Sequence, residues 1–502
     1  KVAQRNPTVR IGVIEGESEQ TRWIDLPGDP QQHYVPRLHF LPVKSPEDSD
    51  PRILIQQLNR LQNANRLFLA DFRSGVVSDV LTESDDAWVD VHDELNWINE
   101  GGEFTWLSER SGWRHLYIAT LDGELRQITK GDFDVIQLLH VNEQDQLAYF
   151  IASPGSPTQR KLFQVRLDGS GLQQLTREDS PGTHSYMVSD DGQWAVHSHS
   201  TADQPPVVEM MKLKERRDAR VLLSNEELEQ KLKKLDPVET EFFRVDIGEG
   251  VELDAWCMRA KNLDLSKRHP LLVYVYGEPA GSTVVNRWGA KSSLWHRMLA
   301  ERGYVVMSFD NRGTKAPRGR AWRKSIYKKI GIIPPQDQAR AVEAVLKERS
   351  YLDPNRVGIW GWSGGGSSSL HAVFKYPKLY STAIAVAPVP NQRYYDTIYQ
   401  ERYMSLPELN VEGFREGSAI NFAKQLEGNL LLIHGTGDDN CHYQTTELLI
   451  DELIANNKQF QMMSYPNRTH SIRERKNTTR HLRQLMTDYL EQHLPTKESD
   501  AH

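Results

Sequence analysis

Short runs in which apolar and polar residues alternate fill the first half of the chain, whereas solid apolar runs separated by amphipathic stretches fill the second. In the first half, three segments share one pattern: RLFLADFRSGVVSDVLT from Arg66, HLYIATLDGELRQITKG from His115 and KLFQVRLDGSGLQQLTR from Lys161. Each reads as an alternating strand, a turn containing glycine, and a second strand ending in Leu-Thr or Ile-Thr, which predicts a hairpin. The leading residues Leu67, Leu116 and Leu162 are spaced by 49 and 46 positions, and weaker copies occur at VRIGVIEGESEQTRWIDL and VVEMMKLKERRDARVLL. The segments FTWLSERSG, LAYFIASPG and MVSDDGQWAVHSHS supply further strands between them. A period in the forties to fifties with about four short strands per unit predicts a β-propeller. An irregular sandwich is the alternative, but sandwiches rarely repeat one turn at a fixed period. Four to five blades are legible and the first opens within a few residues of Lys1. Because propellers close into rings, the expectation is a partial propeller, truncated at its N-terminal side.

Near residue 236 the pattern changes. The charged stretch NEELEQKLKKLDP predicts a helix whose lysines form a solvated face, and ETEFFRVDIGEGVELDAWCMRA predicts an antiparallel hairpin. Beyond it PLLVYVYG, SLWHRMLAERG, YVVMSFDNRG, PQDQARAVEAVLKERS and RVGIWGWSGGG alternate strand with helix, the pattern of a mostly parallel sheet covered on both faces. The expected division is residues 1–235 for the propeller part and 236–502 for an α/β-hydrolase domain.

Within the second half, RVGIW is a short buried strand, Gly361-Trp362-Ser363-Gly364-Gly365 matches G-x-S-x-G, and SSSLHAVFKY can open a helix that stops before Pro377. Strand, tight turn and helix are the setting of a nucleophile elbow, in which small residues flank the serine because the turn is strained and closely packed. A phosphate-binding loop would require G-x-x-x-x-G-K-[ST] or an early G-x-G-x-x-G, and neither is present. Ser363 is therefore the candidate nucleophile. It needs a base and a carboxylate that orients the base, and in this fold they follow in the order Ser, Asp, His at later strand ends. After NLLLIHGTGDDN, Asp438 is the chosen acid and Asp439 the second choice; after QFQMMSYP, the loop NRTHSI presents His470. Separations of 75 and 32 residues are those of successive strand–helix units. His434 is the rival base, but it lies inside a strand end and is expected to pack there.

Composition narrows the classes. A chain of 502 residues exceeds what one core organises, which favours two domains. With 38% apolar residues, 12 Trp and 18 Tyr it can bury substantial cores, and its formal charge of −7 gives no footprint for nucleic acid. The longest apolar runs, LLVYVYG and NLLLIHG, fall far short of a membrane span. The two cysteines, Cys257 and Cys441, make no disulfide framework, which fits a reducing compartment and is compatible with a periplasm. No cofactor or metal is expected.

The segments AIAVAPVPNQRYYDTIYQERYM, GWSGGG and HGTGDDNCHYQ resemble the dipeptidyl peptidase IV branch of the prolyl oligopeptidase family. HDELNWINEGGEFTWLSERSGWRHLY is similar to the propeller of its bacterial and dipeptidyl peptidase 8/9-like members. The resemblance runs over essentially the whole chain. It implies a serine exopeptidase that removes dipeptides from peptides with a free N-terminus, preferring proline or alanine as the second residue; a homodimer is compatible with it. By position Ser363, Asp438 and His470 match the family triad, and Tyr276 and the N–H of Gly364 match the oxyanion hole. Tyr395, Tyr399 and Val389 match the proline pocket, and Asn440 the amide that binds a substrate carbonyl. Read from the residues themselves, two tyrosines four positions apart share a helical face suited to a pyrrolidine ring or to ordinary core packing.

Four positions depart from the family pattern. Gly364 stands for its usual tyrosine, Gln392 for tryptophan, Cys441 for valine and Ser471 for glycine. The first three border the proline pocket, and the loss of two aromatic faces is expected to enlarge and wet it. The family's amine anchor, an adjacent glutamate pair, lies upstream of the segment that NPTVRIGVI resembles. A dipeptidyl peptidase, a related acylaminoacyl peptidase or oligopeptidase, and a non-catalytic binding protein on the same fold are the three readings; an intact triad argues against the last.

Overall fold

The structure, a computed structural model, describes residues 1–14, 20–42, 51–93, 95–214 and 220–496. Its first part is a series of four-stranded antiparallel meanders. The first comprises His33–Phe40, Arg52–Asn59, Ala64–Asp71 and Val77–Ser84; the second Trp97–Ile98, Glu103–Ser108, His115–Thr120 and Leu125–Gln127. The third comprises Val135–Asn142, Leu147–Ala152, Lys161–Arg166 and Gln173–Gln174; the fourth Thr183–Val188, Trp194–Ser200, Val207–Lys212 and Arg220–Leu223. Each strong hairpin repeat supplies the third and fourth strands of its sheet. Of the weaker copies, one pairs Gly12–Ile14 with Thr21–Trp23 and the other closes the fourth sheet. Their turns, residues 15–19 and 215–219, lie outside the described residues.

The sheets stack as propeller blades because their central strands are apolar on both faces. In the third blade Phe150 and Phe163 pack with Ile98, Leu107, Leu116 and Ile118 of the second. The neighbouring positions Tyr149, Ile151 and Leu162 point the other way, toward Ala195 and Leu213 of the fourth. The two-residue side-chain period thus serves two interfaces at once.

After the helix Glu226–Leu232 comes one eight-stranded sheet. Its strands are β1 (Val238–Asp246), β2 (Glu252–Ala260), β3 (His269–Val275), β4 (Val305–Asp310), β5 (Leu352–Trp362), β6 (Thr382–Val386), β7 (Asn429–Gly435) and β8 (Gln461–Tyr465). Their spatial order is β1-β2-β4-β3-β5-β6-β7-β8. The first two pairings are antiparallel and the rest parallel, the α/β-hydrolase arrangement. Leu271, Val273 and Val275 of β3 face the helices Ile333–Glu348 and Gly364–Lys375, while Leu272 between them faces Ala290–Glu301 and Thr478–His493. Among the described residues no helix is long and apolar enough to cross a membrane.

Ion pairs join the two parts. Arg323 meets Glu109 and also Asp134 (2.6 Å), Arg320 meets Asp85 (2.5 Å), and Arg60 meets the fully buried Glu401 (2.9 Å). Glu401 lies in the helix Thr397–Met404, so the propeller contact also fixes an element of the pocket described next.

Candidate active site

Ser363 sits between the end of β5 and the helix Gly364–Lys375, with φ 59° and ψ −121°, a conformation that costs a non-glycine residue energy. Its neighbours explain the glycines. A Cβ on Gly361 would lie 2.4 Å from the backbone of Gly365, and one on Gly365 would lie 2.1 Å from the carbonyl oxygen of Val275. The Ser363 N–H donates to the Val386 carbonyl (2.9 Å) and its carbonyl accepts from Ser367 N–H (3.0 Å), so the strained turn is tied on both sides. The N–H of Gly364, in the first helical turn, has no acceptor within the helix and is free for an oxyanion.

Tyr276 directly follows β3, whose last residue Val275 is in register with Gly361 of β5. That pairing brings the phenol to the elbow. Burial, reinforced by the charge of Glu278, pushes the Tyr276 hydroxyl well above the ordinary phenol range and keeps it a proton donor.

β7 and β8 deliver the other two groups. His470 Nδ1–H donates to Asp438 Oδ2 at 2.8 Å, a tautomer that presents Nε2 as the base. Asp438 Oδ1 accepts the backbone N–H groups of Asn440 and Cys441, both at 2.9 Å. Burial works against its charge, yet the bonds donated by His434 and His470 hold the carboxyl well below the usual range. Asp439 next to it is exposed. His434 is buried, with Nε2 3.1 Å from Asp438 Oδ2 and 2.7 Å from the Cys441 carbonyl, and Nδ1 2.8 Å from Thr446 Oγ1. It steadies the acid and is no free base. The indole N–H of Trp362, the variable residue of G-x-S-x-G, donates to the His470 carbonyl at 2.9 Å and ties the base loop to the elbow.

Beside Ser363 lies a small cavity of about 30 Å³, lined among others by Tyr276, Glu278, Val389, Gln392, Tyr399 and Gln400. Two expectations need correction here. Tyr395 and Tyr399 do not share a helical face: Tyr395 is extended and precedes Asp396, whose carboxylate caps the helix by accepting Tyr399 N–H (2.7 Å). The rings meet edge to face instead, 5.3 Å apart, and Tyr399 in turn meets Tyr403 at 4.9 Å. The space left by Gly364 is also not open. The Glu278 carboxyl fills it, 2.7 Å from where a Cβ would stand, so a tyrosine there would have to displace it.

Gln392 is buried, and its amide donates to the Gly417 carbonyl at 2.9 Å. Asn440 Oδ1 accepts the Tyr395 hydroxyl at 2.5 Å. Cys441 Sγ stands 3.9 Å from Ser363 Oγ, but burial pushes its thiol far above the ordinary range, so no thiolate competes with the serine. Ser471 is exposed on the base loop, its hydroxyl on Glu474. Sequence reasoning missed His434 as a partner of the acid, and missed Glu278 and Gln400 altogether. A glutamate in the apolar setting VYVYGEP was the one visible sign.

Comparison with known proteins follows the same division. The model of the prolyl oligopeptidase family matches residues 291–497, and that of the dipeptidyl peptidase IV N-terminal region matches residues 1–206. A probable dipeptidyl peptidase 4 of Arthroderma benhamiae is 29% identical over 464 residues, covering 90% of this chain and 59% of that protein. The chain thus spans about three fifths of the length of the curated relatives it matches. The crystal structure of Porphyromonas gingivalis dipeptidyl peptidase 4 superposes with a TM-score of 0.91 at 31% identity, over 98% of this chain and 68% of that one. A putative dipeptidyl aminopeptidase IV from Bacteroides ovatus gives 0.87 at 26% identity, over 98% and 71%.

Proposed function

Since the chain belongs to the dipeptidyl peptidase IV branch of the prolyl oligopeptidase family of serine peptidases, we propose that it releases dipeptides from peptide N-termini by acyl-enzyme catalysis. The second residue of the substrate is small, of proline or alanine size. In this reading residues 1–235 are the propeller part and 236–502 the catalytic domain. Ser363 Oγ attacks the carbonyl of the second residue and passes its proton to His470 Nε2, while Asp438 holds the ring. The Tyr276 hydroxyl and Gly364 N–H receive the oxyanion. His470 returns the proton to the departing amine, and water then releases the dipeptide by the same steps. Val389, Tyr395, Tyr399, Gln392 and Cys441 surround the second side chain, and Asn440 holds a substrate carbonyl.

The observation that carries this reading is Ser363 at φ 59° on the sheet edge where His470 and Asp438 are joined at 2.8 Å. The test combines a fluorophosphonate probe with paired substrates. Ser363 should be labelled, Ser363→Ala should lose labelling and hydrolysis, and dipeptidyl amides with a free amine should be cleaved while N-acylated ones are spared. Efficient cleavage of the acylated set would move the assignment to an acylaminoacyl peptidase or oligopeptidase.

A further inference from the structure

The cavity beside Ser363 contains two polar groups that the reaction does not use. Glu278 is 8% exposed, and its Oε2 accepts the Tyr399 hydroxyl at 2.8 Å. Gln400, 1% exposed, lines the same cavity with an Nε2 that is buried and has no hydrogen-bond partner among the described residues. A buried amide donor left unpaired costs on the order of 1–3 kcal/mol, so a ligand group that satisfies it gains accordingly. Val389 and the rings of Tyr395 and Tyr399 supply apolar and aromatic wall, and Gln392, Tyr276 and Ser363 also line it.

From this juxtaposition we propose that the pocket selects a small side chain bearing a hydroxyl, namely serine, threonine or 4-hydroxyproline, as the second residue, with Glu278 and Gln400 as the residues that determine specificity. The inference rests on the serine exopeptidase reading and refines its substrate class. Size favours short side chains: the space open to the centre of a water molecule is only about 30 Å³, which admits a few side-chain atoms but not a lysine or arginine stem. Chemistry selects among the small ones. Gln400 Nε2 can only donate, and a hydroxyl oxygen accepts from it. Glu278 accepts from that hydroxyl when ionised and donates to it when protonated, and a hydroxyl answers both forms because it is donor and acceptor at once. Alanine, valine or proline would leave the Gln400 amide buried and unpaired and Glu278 with Tyr399 alone.

The test uses glycyl-Xaa coumarin amides in isosteric pairs: serine against alanine, threonine against valine, hydroxyproline against proline. The expected result is a kcat/KM at least about tenfold higher for the hydroxylated member of each pair, because a site built around a hydroxyl discriminates strongly against its absence. Gln400→Met and Glu278→Met should each reduce that ratio toward one while apolar substrates are still cleaved. Glu278→Gln, which keeps shape and hydrogen bonding, should retain it and guards against a misfolded methionine variant. Ratios at or below one in the wild type, with the apolar members cleaved, would overturn this specificity and leave the exopeptidase reading standing. A protein that cleaves no member of the panel and does not label at Ser363 would overturn both.

Discussion

Replacing Glu278 by glutamine should raise stability in a strongly pH-dependent way. In the folded protein burial pushes this carboxyl up from 4.5 to about 7, against which the hydrogen bond from Tyr399 works only in part. The groups that feel its charge are Tyr276, Tyr399, Tyr403, Tyr395 and Cys441, all themselves held protonated by burial, and none of them is a cation that could offset it. A rise of this size corresponds to roughly 3 kcal/mol between the two protonation states, at about 1.4 kcal/mol per pH unit. The sign follows from linkage: the folded state holds the proton that the unfolded chain has already released. Proton-linked stability is therefore fully present below pH 4.5, declines as pH rises, and is gone above about 7. Glutamine keeps the shape and the acceptor for Tyr399 but carries no charge.

Urea unfolding of both proteins between pH 4 and 9 isolates this one group, because every other titration cancels in the difference. The two should coincide near pH 4, and the variant should be more stable by roughly 3 kcal/mol at pH 8. Parallel curves, or a wild type that gains on the variant with pH, would refute a glutamate buried without a counter-charge.

The same ionisation places negative charge beside the oxyanion hole, so wild-type kcat/KM should fall above pH 7 and Glu278→Gln should lose that limb, read from pH–rate profiles of both. Ser363→Gly relieves the positive φ and should raise the unfolding free energy by about 1 kcal/mol while abolishing hydrolysis, as denaturation and substrate assays would report. Trp362→Phe removes the donor to the His470 carbonyl, and kcat should drop about tenfold with little change in KM, measured in steady-state kinetics. Arg323→Leu removes the cation shared by Glu109 and Asp134 at the domain junction, and because Glu109 keeps Lys324 and Asp134 keeps the N–H groups of Arg114 and Gly319, it should cost about 1–3 kcal/mol in urea unfolding.

The amino-acid sequence alone determined what depends on neighbours along the chain. Hairpins repeated at 49 and 46 residues announced blades because side-chain alternation and turn glycines are written within about twenty positions. Gly361 and Gly365 announced the elbow because hard contacts forbid any Cβ there, and the order Ser363, Asp438, His470 followed from the order of the strands. Other features were decided only by the assembled fold. Tyr395 and Tyr399 have helical spacing, yet Asp396 caps the helix between them, so their rings converge from a loop and a helix. Glu278 meets Tyr399 across 121 residues, and His434 reaches Asp438 because β7 ends in a turn that folds back on itself. No period or spacing encodes such meetings. They arise where the end of β3, a helix fixed by its salt bridge to the propeller, and a glycine without a side chain leave a space that one carboxyl group fills.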